Sequence, residues 1–248
     1  MNETNADRSV FTTGLFTQKR AAKKLIDESR ADTDFYLFLS IAMVLTTLGL
    51  LMDNAIVVVG AMLVAPILFP ILALGLGIVT ASGEAILRAL RIIVISFIIG
   101  VAISFVVAFF VDTNATTEIL SLLIESDLLL YFLISFGAGV VASFAWIKED
   151  VGLSLPGVAI AVSLVPPLGA VGISLSLLSM SLFVSSVLLF IVNLLGVVLA
   201  SIVVFSLFSF AQVRDYQDEK IKEEEEEKEH IKQEKKVEKL IEDKGLGI

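Results

Sequence analysis

The apolar residues of this chain occur in long uninterrupted blocks rather than at amphipathic spacing. No Asp, Glu, Lys, Arg or His occurs in residues 54–83, 92–111, 128–147 or 151–213. Because a membrane-spanning helix needs about 20 consecutive apolar residues, these blocks predict spans through a lipid bilayer. The chain has 248 residues, 56% of them apolar, which is more apolar surface than one soluble core of this size hides.

The blocks predict an all-α fold with six membrane-spanning helices. The last charge-free block has 63 residues, and one helix of that length would measure roughly 95 Å, so we divide it at a turn near residues 178–181. The six predicted spans are Phe35–Leu51, Asn54–Ala81, Ala89–Val111, Leu128–Ile147, Gly152–Leu178 and Ser181–Phe210.

The basic residues are confined to one predicted side of the membrane. The segment before the first span, the second and fourth connections (Arg88, Arg91 and Lys148) and the segment after the last span together hold all 18 Lys and Arg residues. The opposite side carries acidic residues alone: Asp53, Asp112, Glu118, Glu125 and Asp127. Since basic residues stay on the cytoplasmic side of a membrane, we expect cytoplasmic N- and C-termini and a multi-pass location in the cell (plasma) membrane.

The chain aligns with itself at an offset of 100 residues. Residues 61–68, in the second span, then lie over residues 161–168, in the fifth. Each of these spans is the second in a group of three, and an odd number of spans reverses direction between groups. The pattern therefore predicts two inverted three-helix repeats.

Prolines mark the same two spans. Pro66, Pro70, Pro156, Pro166 and Pro167 are all the prolines of the chain. Proline removes a backbone donor from a helix, and in lipid the freed groups need protein or water as partners. We expect proline-broken second and fifth helices that cross near the bilayer midplane, with Asp53 and Asp150 at the two mouths of a path. The candidate path residues are Gly60, Ala65, Pro66, Pro70, Ser163, Pro166, Pro167, Gly169 and Asn193.

The residue types within the spans exclude most catalytic chemistry. The interior of the predicted spans holds no Asp, Glu or His to relay protons, the chain has no cysteine, and its one histidine, His230, lies in the charged tail. We therefore expect no enzymatic activity, no metal site and no cofactor. Asn193 should point into the bundle, because an amide facing lipid is costly. It could join helices or line a path.

Two stretches resemble a known family. Residues 51–70 (LMDNAIVVVGAMLVAPILFP) and 156–167 (PGVAIAVSLVPP) are similar to the prokaryotic membrane family called domain of unknown function 389, or the uncharacterised hydrophobic domain. Phe190-Ile-Val-Asn193 is similar to that family's last helix. The resemblance covers about residues 33–210 and implies a bacterial or archaeal membrane protein, without implying a substrate.

The predicted spans divide the chain into five parts. Residues 1–34 form a cytoplasmic segment with an interfacial helix near Gln18–Arg30, residues 35–111 the first repeat, and residues 112–127 an external loop. The second repeat occupies residues 128–210, and residues 211–248 form a charged cytoplasmic tail. For this tail, disorder and a continuation of the sixth helix are both compatible with the sequence.

These features lead to two functional hypotheses. The first is a channel or secondary transporter for a small ion or solute that passes where the two broken helices cross. The second is a non-transporting scaffold or sensor that acts through its cytoplasmic ends. The expected partners are the lipid bilayer and a small ion or solute, with no nucleic acid. A homo-oligomer is compatible with such a bundle.

Overall fold

The protein is all-helical over the residues that the structure describes. The computed structural model describes residues 15–111, 117–124, 127–147, 154–223 and 226, and for residues 124 and 154–163 it describes the backbone alone. Within these ranges the regular elements are nine α-helices, one short 3-10 helix at Phe210–Val213 and a helical stretch at residues 214–223. The α-helices are α1 Leu15–Glu28, α2 Thr33–Leu51, α3 Ala55–Val64, α4 Leu68–Val79, α5 Gly83–Phe110, α6 Glu118–Ile124, α7 Leu128–Ile147, α8 Ser154–Ser176 and α9 Met180–Leu207.

Several of these helices are long and apolar enough to cross a membrane. In the described part of the chain, α2, α5, α7 and α9 meet this criterion singly, and α3 with α4 forms a fifth, bent candidate. Apolar side chains also cover their outer faces: Phe110 is 79% exposed and Ile56 is 84% exposed. Because a soluble surface rarely presents such continuous apolar area, these helices indicate a membrane protein.

The second apolar segment is broken at the predicted proline. Helix α3 ends at Val64, α4 begins at Leu68, and the two helix axes differ by 55°. Between them Ala65 adopts an extended conformation with φ −71° and ψ 120°. The ring of Pro66 disfavours a helical conformation at the preceding residue, which explains why the helix ends there.

The prediction of a broken fifth helix is wrong. Helix α8 continues without interruption through Pro166 and Pro167. A proline keeps a φ angle that a helix accepts, so its cost is the lost N–H and the strain at the carbonyl four residues earlier. The carbonyls of residues 162 and 163 therefore lose their intrahelical donors, while the helix itself persists among its neighbours.

Helix α8 lies at the centre of the bundle. All described side chains from Leu164 to Ser174 are buried, and α8 contacts α2, α3, α4, α5, α7 and α9. Glycines allow the closest of these approaches. A Cβ on Gly172 would lie 2.4 Å from Cβ of Ser104 in α5, and one on Gly169 would lie 3.1 Å from Cγ2 of Thr46 in α2.

Two hairpins, α4–α5 and α8–α9, use the same turn. Ala81 (φ 53°) and Leu178 (φ 52°) are both left-handed, and each precedes a serine whose hydroxyl caps the next helix. The N–H of Ser82 donates to the Gly77 carbonyl and that of Ser179 to the Ser174 carbonyl, each at 3.0 Å. This is the hydrogen-bond pattern of a Schellman ending. The two turns are 97 residues apart, whereas Pro66 and Pro166 are 100 apart.

Helix α1 packs against one end of the bundle, which we call the α1 end. Its Leu25 and Ile26 are buried, and it contacts α4, α7 and the 3-10 helix. The Gln18 amide donates to the Phe208 carbonyl at 2.8 Å, and the indole N–H of Trp146 donates to the Ala21 carbonyl at 3.1 Å. The predicted interfacial helix is therefore docked on protein along its apolar face.

The described part of the tail does not continue the last membrane helix. Helix α9 ends at Leu207, and Ser209 turns the chain with a left-handed φ of 56°. The helical stretch at 214–223 then returns to the α4–α5 turn at the α1 end. There the Thr80 hydroxyl donates to the Gln217 amide oxygen at 2.7 Å, and the Ser82 hydroxyl donates to the Asp218 carboxylate. The opposite end of the bundle carries α6, and we call it the α6 end.

Candidate functional site

Asn193 lies inside the bundle, as the sequence predicts. Its side chain is fully buried, and its Oδ1 accepts a hydrogen bond from the Ser135 hydroxyl at 2.8 Å. This contact joins α7 to α9, which pack closely because Gly139 and Gly196 carry no side chain at the crossing. The hydrogen bond therefore supports the helix-joining role of Asn193.

The described interior is polar only through neutral groups. Every buried polar side chain in the described ranges is a Ser, Thr, Asn or Gln, and these ranges hold no cluster of three metal-ligating side chains. Most of the buried hydroxyls donate to a carbonyl of their own helix, as Thr46 does to Ala42 and Ser143 to Gly139. The Thr47 hydroxyl also donates to the Ser104 hydroxyl at 2.9 Å, between α2 and α5.

Two buried serines differ from the others. Ser96 in α5 and Ser186 in α9 are both fully buried, and neither hydroxyl has a hydrogen-bond partner among the described residues. An unsatisfied hydroxyl in a low-dielectric interior costs about 1–3 kcal/mol. The sequence does not distinguish these two serines from the others, because the side-chain rotamer decides whether a serine hydroxyl donates to a carbonyl of its own helix.

The predicted path residues occupy different environments. The buried members are Pro70, Pro166, Pro167, Gly169 and Asn193, whereas Ala65 and Pro66 are half-buried. Gly60 is exposed on α3, and a Cβ placed on it would meet no atom within 4 Å. This face of α3 therefore points away from the neighbouring helices. For Ser163 the structure describes the helical backbone alone, and Asp150 lies outside the described residues.

Asp53 has a structural partner at the α6 end. Its exposed carboxylate accepts a hydrogen bond from the Ile119 N–H at 2.9 Å and so holds the start of α6. The residue that caps α3 is Asn54, whose Oδ1 accepts from the Ile56 and Val57 N–H groups. Asp53 itself adopts a left-handed φ of 53° after α2. It therefore anchors α6 through its side chain.

The two hairpins contact each other reciprocally. Gly75 of α4 packs on Ser201 of α9, while Gly172 of α8 packs on Ser104 of α5. The two glycines are 97 residues apart, and so are the two serines. This is the spacing of the two turns, so the same glycine-on-serine contact occurs twice with the roles of the halves exchanged.

The hairpin spacing also brings four residues to a common depth. Ser96 and Asn193 each lie fourteen positions after the capping serine of their hairpin, and Ile67 and Leu164 each lie fifteen positions before it. At 1.5 Å per residue this is about 21 Å from the turn, or half the thickness of a bilayer with its headgroups. The four residues are Ile67, Ser96, Leu164 and Asn193. We call this level the central layer.

A small cleft opens at the α1 end. It is walled by α4 and α5, by Ile26 of α1 and Ser29 just after α1, and by Gln217 and Ile221 of the tail. Arg88 also lines it. No sequence pattern indicates this cleft, because α1 and the tail meet α5 only through tertiary packing.

Comparison with known proteins identifies the family. The family described as Domain of unknown function (DUF389) matches residues 62–199, more than half of the chain. The chain belongs to this family. Its match spans the break after Val64, all of α8 and most of α9, so the family segment includes the central layer.

A relative from an archaeon supports the assignment. The chain is 24% identical over 186 residues to an uncharacterized protein of Methanocaldococcus jannaschii. The match covers 74% of this chain and 57% of the relative, so the chain spans little more than half of that protein's length. No solved structure matches the chain.

Proposed function

We propose that this DUF389 protein is a channel or secondary transporter for a small ion or solute. The observation that supports this most directly is the 55° break between α3 and α4. A break within an apolar span leaves helix-end carbonyls and N–H groups without intrahelical partners. Non-helical backbone at membrane depth is tolerated where protein or a water-filled path satisfies it.

The path would run beside α8, which contacts both α3 and α4. Helix α8 carries a second set of donor-deficient carbonyls, at residues 162 and 163, because Pro166 and Pro167 have no N–H. The α3–α4 break and these carbonyls of α8 would therefore present backbone polar groups to a solute from two sides. Such sites are typical of secondary transporters with discontinuous helices.

An inverted repeat would relate the two sides of this path. The proposed halves are residues 35–111 and 128–210, each with three membrane spans. The reciprocal packing of Gly75 on Ser201 and Gly172 on Ser104 supports this symmetry, as do the matching turns at Ser82 and Ser179. With three spans per half, the two halves would cross the membrane in opposite directions.

The proposed orientation places the α1 end in the cytoplasm of a prokaryotic cell. The basic residues of α1 lie at this end, with Arg88 and Arg91 at the start of α5. The α6 end carries Asp53, Glu118 and Asp127. Because positive residues are kept inside, the protein would lie in the plasma membrane with both termini cytoplasmic.

Flux measurements test this function. The full chain is purified, reconstituted into liposomes and assayed with a panel of small ions and neutral solutes. Wild type should transport at least one of them, and Pro66→Ala, which favours a continuous helix, should lower that flux about tenfold or more. Gly137→Ala is the matched control, because a Cβ there meets no atom within 4 Å. Folded protein that transports nothing across the panel would contradict the proposal.

A scaffold or sensor is the second candidate. The docking of α1 and of residues 214–223 on the same end of the bundle favours it, because these elements hold Gln18, Gln217 and Ile221 in buried contacts. A protein of this kind would show no flux. Its docked elements would carry the function, and the proline break would have no role in transport.

A further inference from the structure

We propose that Ser96 is a ligand in a binding site for a dehydrated monovalent alkali cation, in the central layer between α5 and α8. The site deepens the proposed function and rests on it, because it names the class of ion that the path would hold. The observations that support it are the unpartnered Ser96 hydroxyl, the register of α5 against α8, and the carbonyls that the prolines free.

The first observation is the state of the Ser96 hydroxyl. Ser96 is fully buried, and its Oγ has no hydrogen-bond partner in the described part of the chain. Ser104, two turns further along the same helix, accepts from Thr47. Hydroxyls in membrane helices ordinarily donate to the carbonyl three or four residues earlier, so the free oxygen of Ser96 stands out from its own helix.

The register of α5 and α8 shows what Ser96 faces. A Cβ on Gly172 would contact Ser104, and a Cβ on Gly100 would lie 2.9 Å from Leu168. These two contacts are one helical turn apart on both helices, so the helices run parallel in register. One further turn brings Ser96 opposite Leu164, which is also fully buried.

Backbone oxygens without donors lie at this point of α8. Pro166 and Pro167 cannot donate to the carbonyls four residues before them, at residues 162 and 163, directly before Leu164. The last carbonyls of α3, which ends at Val64 and contacts α8, also lack intrahelical partners. The C-terminal end of α3 adds the negative end of a helix dipole.

The chemistry of these groups selects a cation. Carbonyl oxygens only accept, and the Ser96 hydroxyl is the single donor among these groups, so an anion would find too few donors. Rings of carbonyl oxygens replace the hydration shell of alkali cations in channels. Divalent ions generally need carboxylate ligands, and the described interior holds no buried carboxylate. The site therefore suits sodium or a larger alkali ion.

Binding of radioactive sodium and rubidium ions to the purified full chain tests the site, with N-methyl-glucamine as the inert background cation. Wild type should bind one of the two ions saturably. Ser96→Ala should weaken its affinity about tenfold or more, because one coordinating oxygen is lost. In cation-free buffer the same variant should melt at or above the wild-type temperature, since it removes an unsatisfied buried hydroxyl.

Ser186→Ala is the matched control. Ser186 is equally buried and unpartnered, but it lies seven residues from Asn193, about 10 Å away from the central layer. Its affinity for the ion should equal that of wild type. If neither ion binds saturably, or if both alanine variants bind like wild type, the site is overturned.

The binding test is separate from the flux test. Saturable binding that depends on Ser96, in a protein that shows no flux, would remove the transport function and leave the cation site. Flux of a neutral solute without cation binding would remove the site and leave the transport function.

Discussion

Gly75 lies so close to α9 that a Cβ placed on it would stand 1.8 Å from Oγ of Ser201. The obstacle on α9 is a side chain, since the nearest backbone atom there, the N of Ile202, lies 3.6 Å away. Gly75→Ala should therefore destabilise the fold by about 1–3 kcal/mol. The apparent melting temperature of the detergent-solubilised protein measures this loss.

Removing the obstructing side chain should rescue this variant. Gly75→Ala with Ser201→Gly should recover most of the lost stability, a non-additive result expected for residues in direct contact. Gly137→Ala, on an open face of α7, is the control and should leave the melting temperature unchanged. Equal melting temperatures for Gly75→Ala and Gly137→Ala would contradict the packing described here.

The reciprocal contact should respond differently. A Cβ on Gly172 would lie 2.4 Å from Cβ of Ser104, but also 2.7 Å from the Val101 carbonyl and 2.8 Å from the Phe105 N. Backbone atoms cannot rotate away, so Ser104→Gly should fail to rescue Gly172→Ala. Rescue as complete as in the Gly75 pair would show that α5 yields more readily than its packing indicates.

The helical stretch at 214–223 should detach when its apolar contact is lost. Ile221 is 2% exposed and packs with Ile26 of α1 and Ala85 of α5. Ile221→Ala would remove most of this buried apolar contact, so trypsin should cleave at Arg214 and Lys220 about tenfold faster or more, through local opening. Glu219→Ala, on the exposed side of the same stretch, should be cleaved like wild type. Unchanged cleavage of the Ile221 variant would mean that the polar contacts of Gln217 and Asp218 hold the stretch alone.

The sequence predicts the membrane helices well where the signal is local. The break at Ala65 follows from the steric effect of Pro66 on the residue before it, and Leu128–Ile147 is the helix that the charge-free block predicts. The same rule fails at Pro166, where α8 continues. That outcome depends on the six helices that contact α8, and the sequence does not show which neighbours a helix has.

The candidate site is less predictable than the helices. Asn193 is found from sequence because an amide is rare and costly in lipid, but its partner Ser135 is not. Ser96 resembles every other serine of the spans until its neighbours are known. The docking of α1 and the tail depends on contacts such as Gln18 with the Phe208 carbonyl, between residues 190 positions apart. Tertiary packing decides these features, and it leaves no periodic signal.

The Asp53 carboxylate should anchor the start of α6. Asp53→Gly keeps the left-handed backbone free of strain but removes the acceptor of the Ile119 N–H, so hydrogen exchange at Ile119 should quicken about three- to tenfold. Asp53→Asn retains an acceptor oxygen and tolerates a positive φ, so exchange should stay near the wild-type rate. Equal exchange in both variants would show that the bond contributes nothing to the order of α6.

Single cysteines can establish the orientation, because the chain contains no cysteine of its own. Lys23→Cys lies on the exposed face of α1 and Glu118→Cys at the start of α6, at opposite ends of the bundle. In intact cells a membrane-impermeant maleimide should label only the Glu118 variant, and after permeabilisation it should label both, as expected when basic segments stay inside. Ile98→Cys, 60% exposed in the middle of α5, should react poorly in both cases, because a thiol in hydrocarbon rarely ionises. Labelling of the Lys23 variant in intact cells would reverse the proposed orientation, whereas ready labelling of the Ile98 variant would remove α5 from the bilayer.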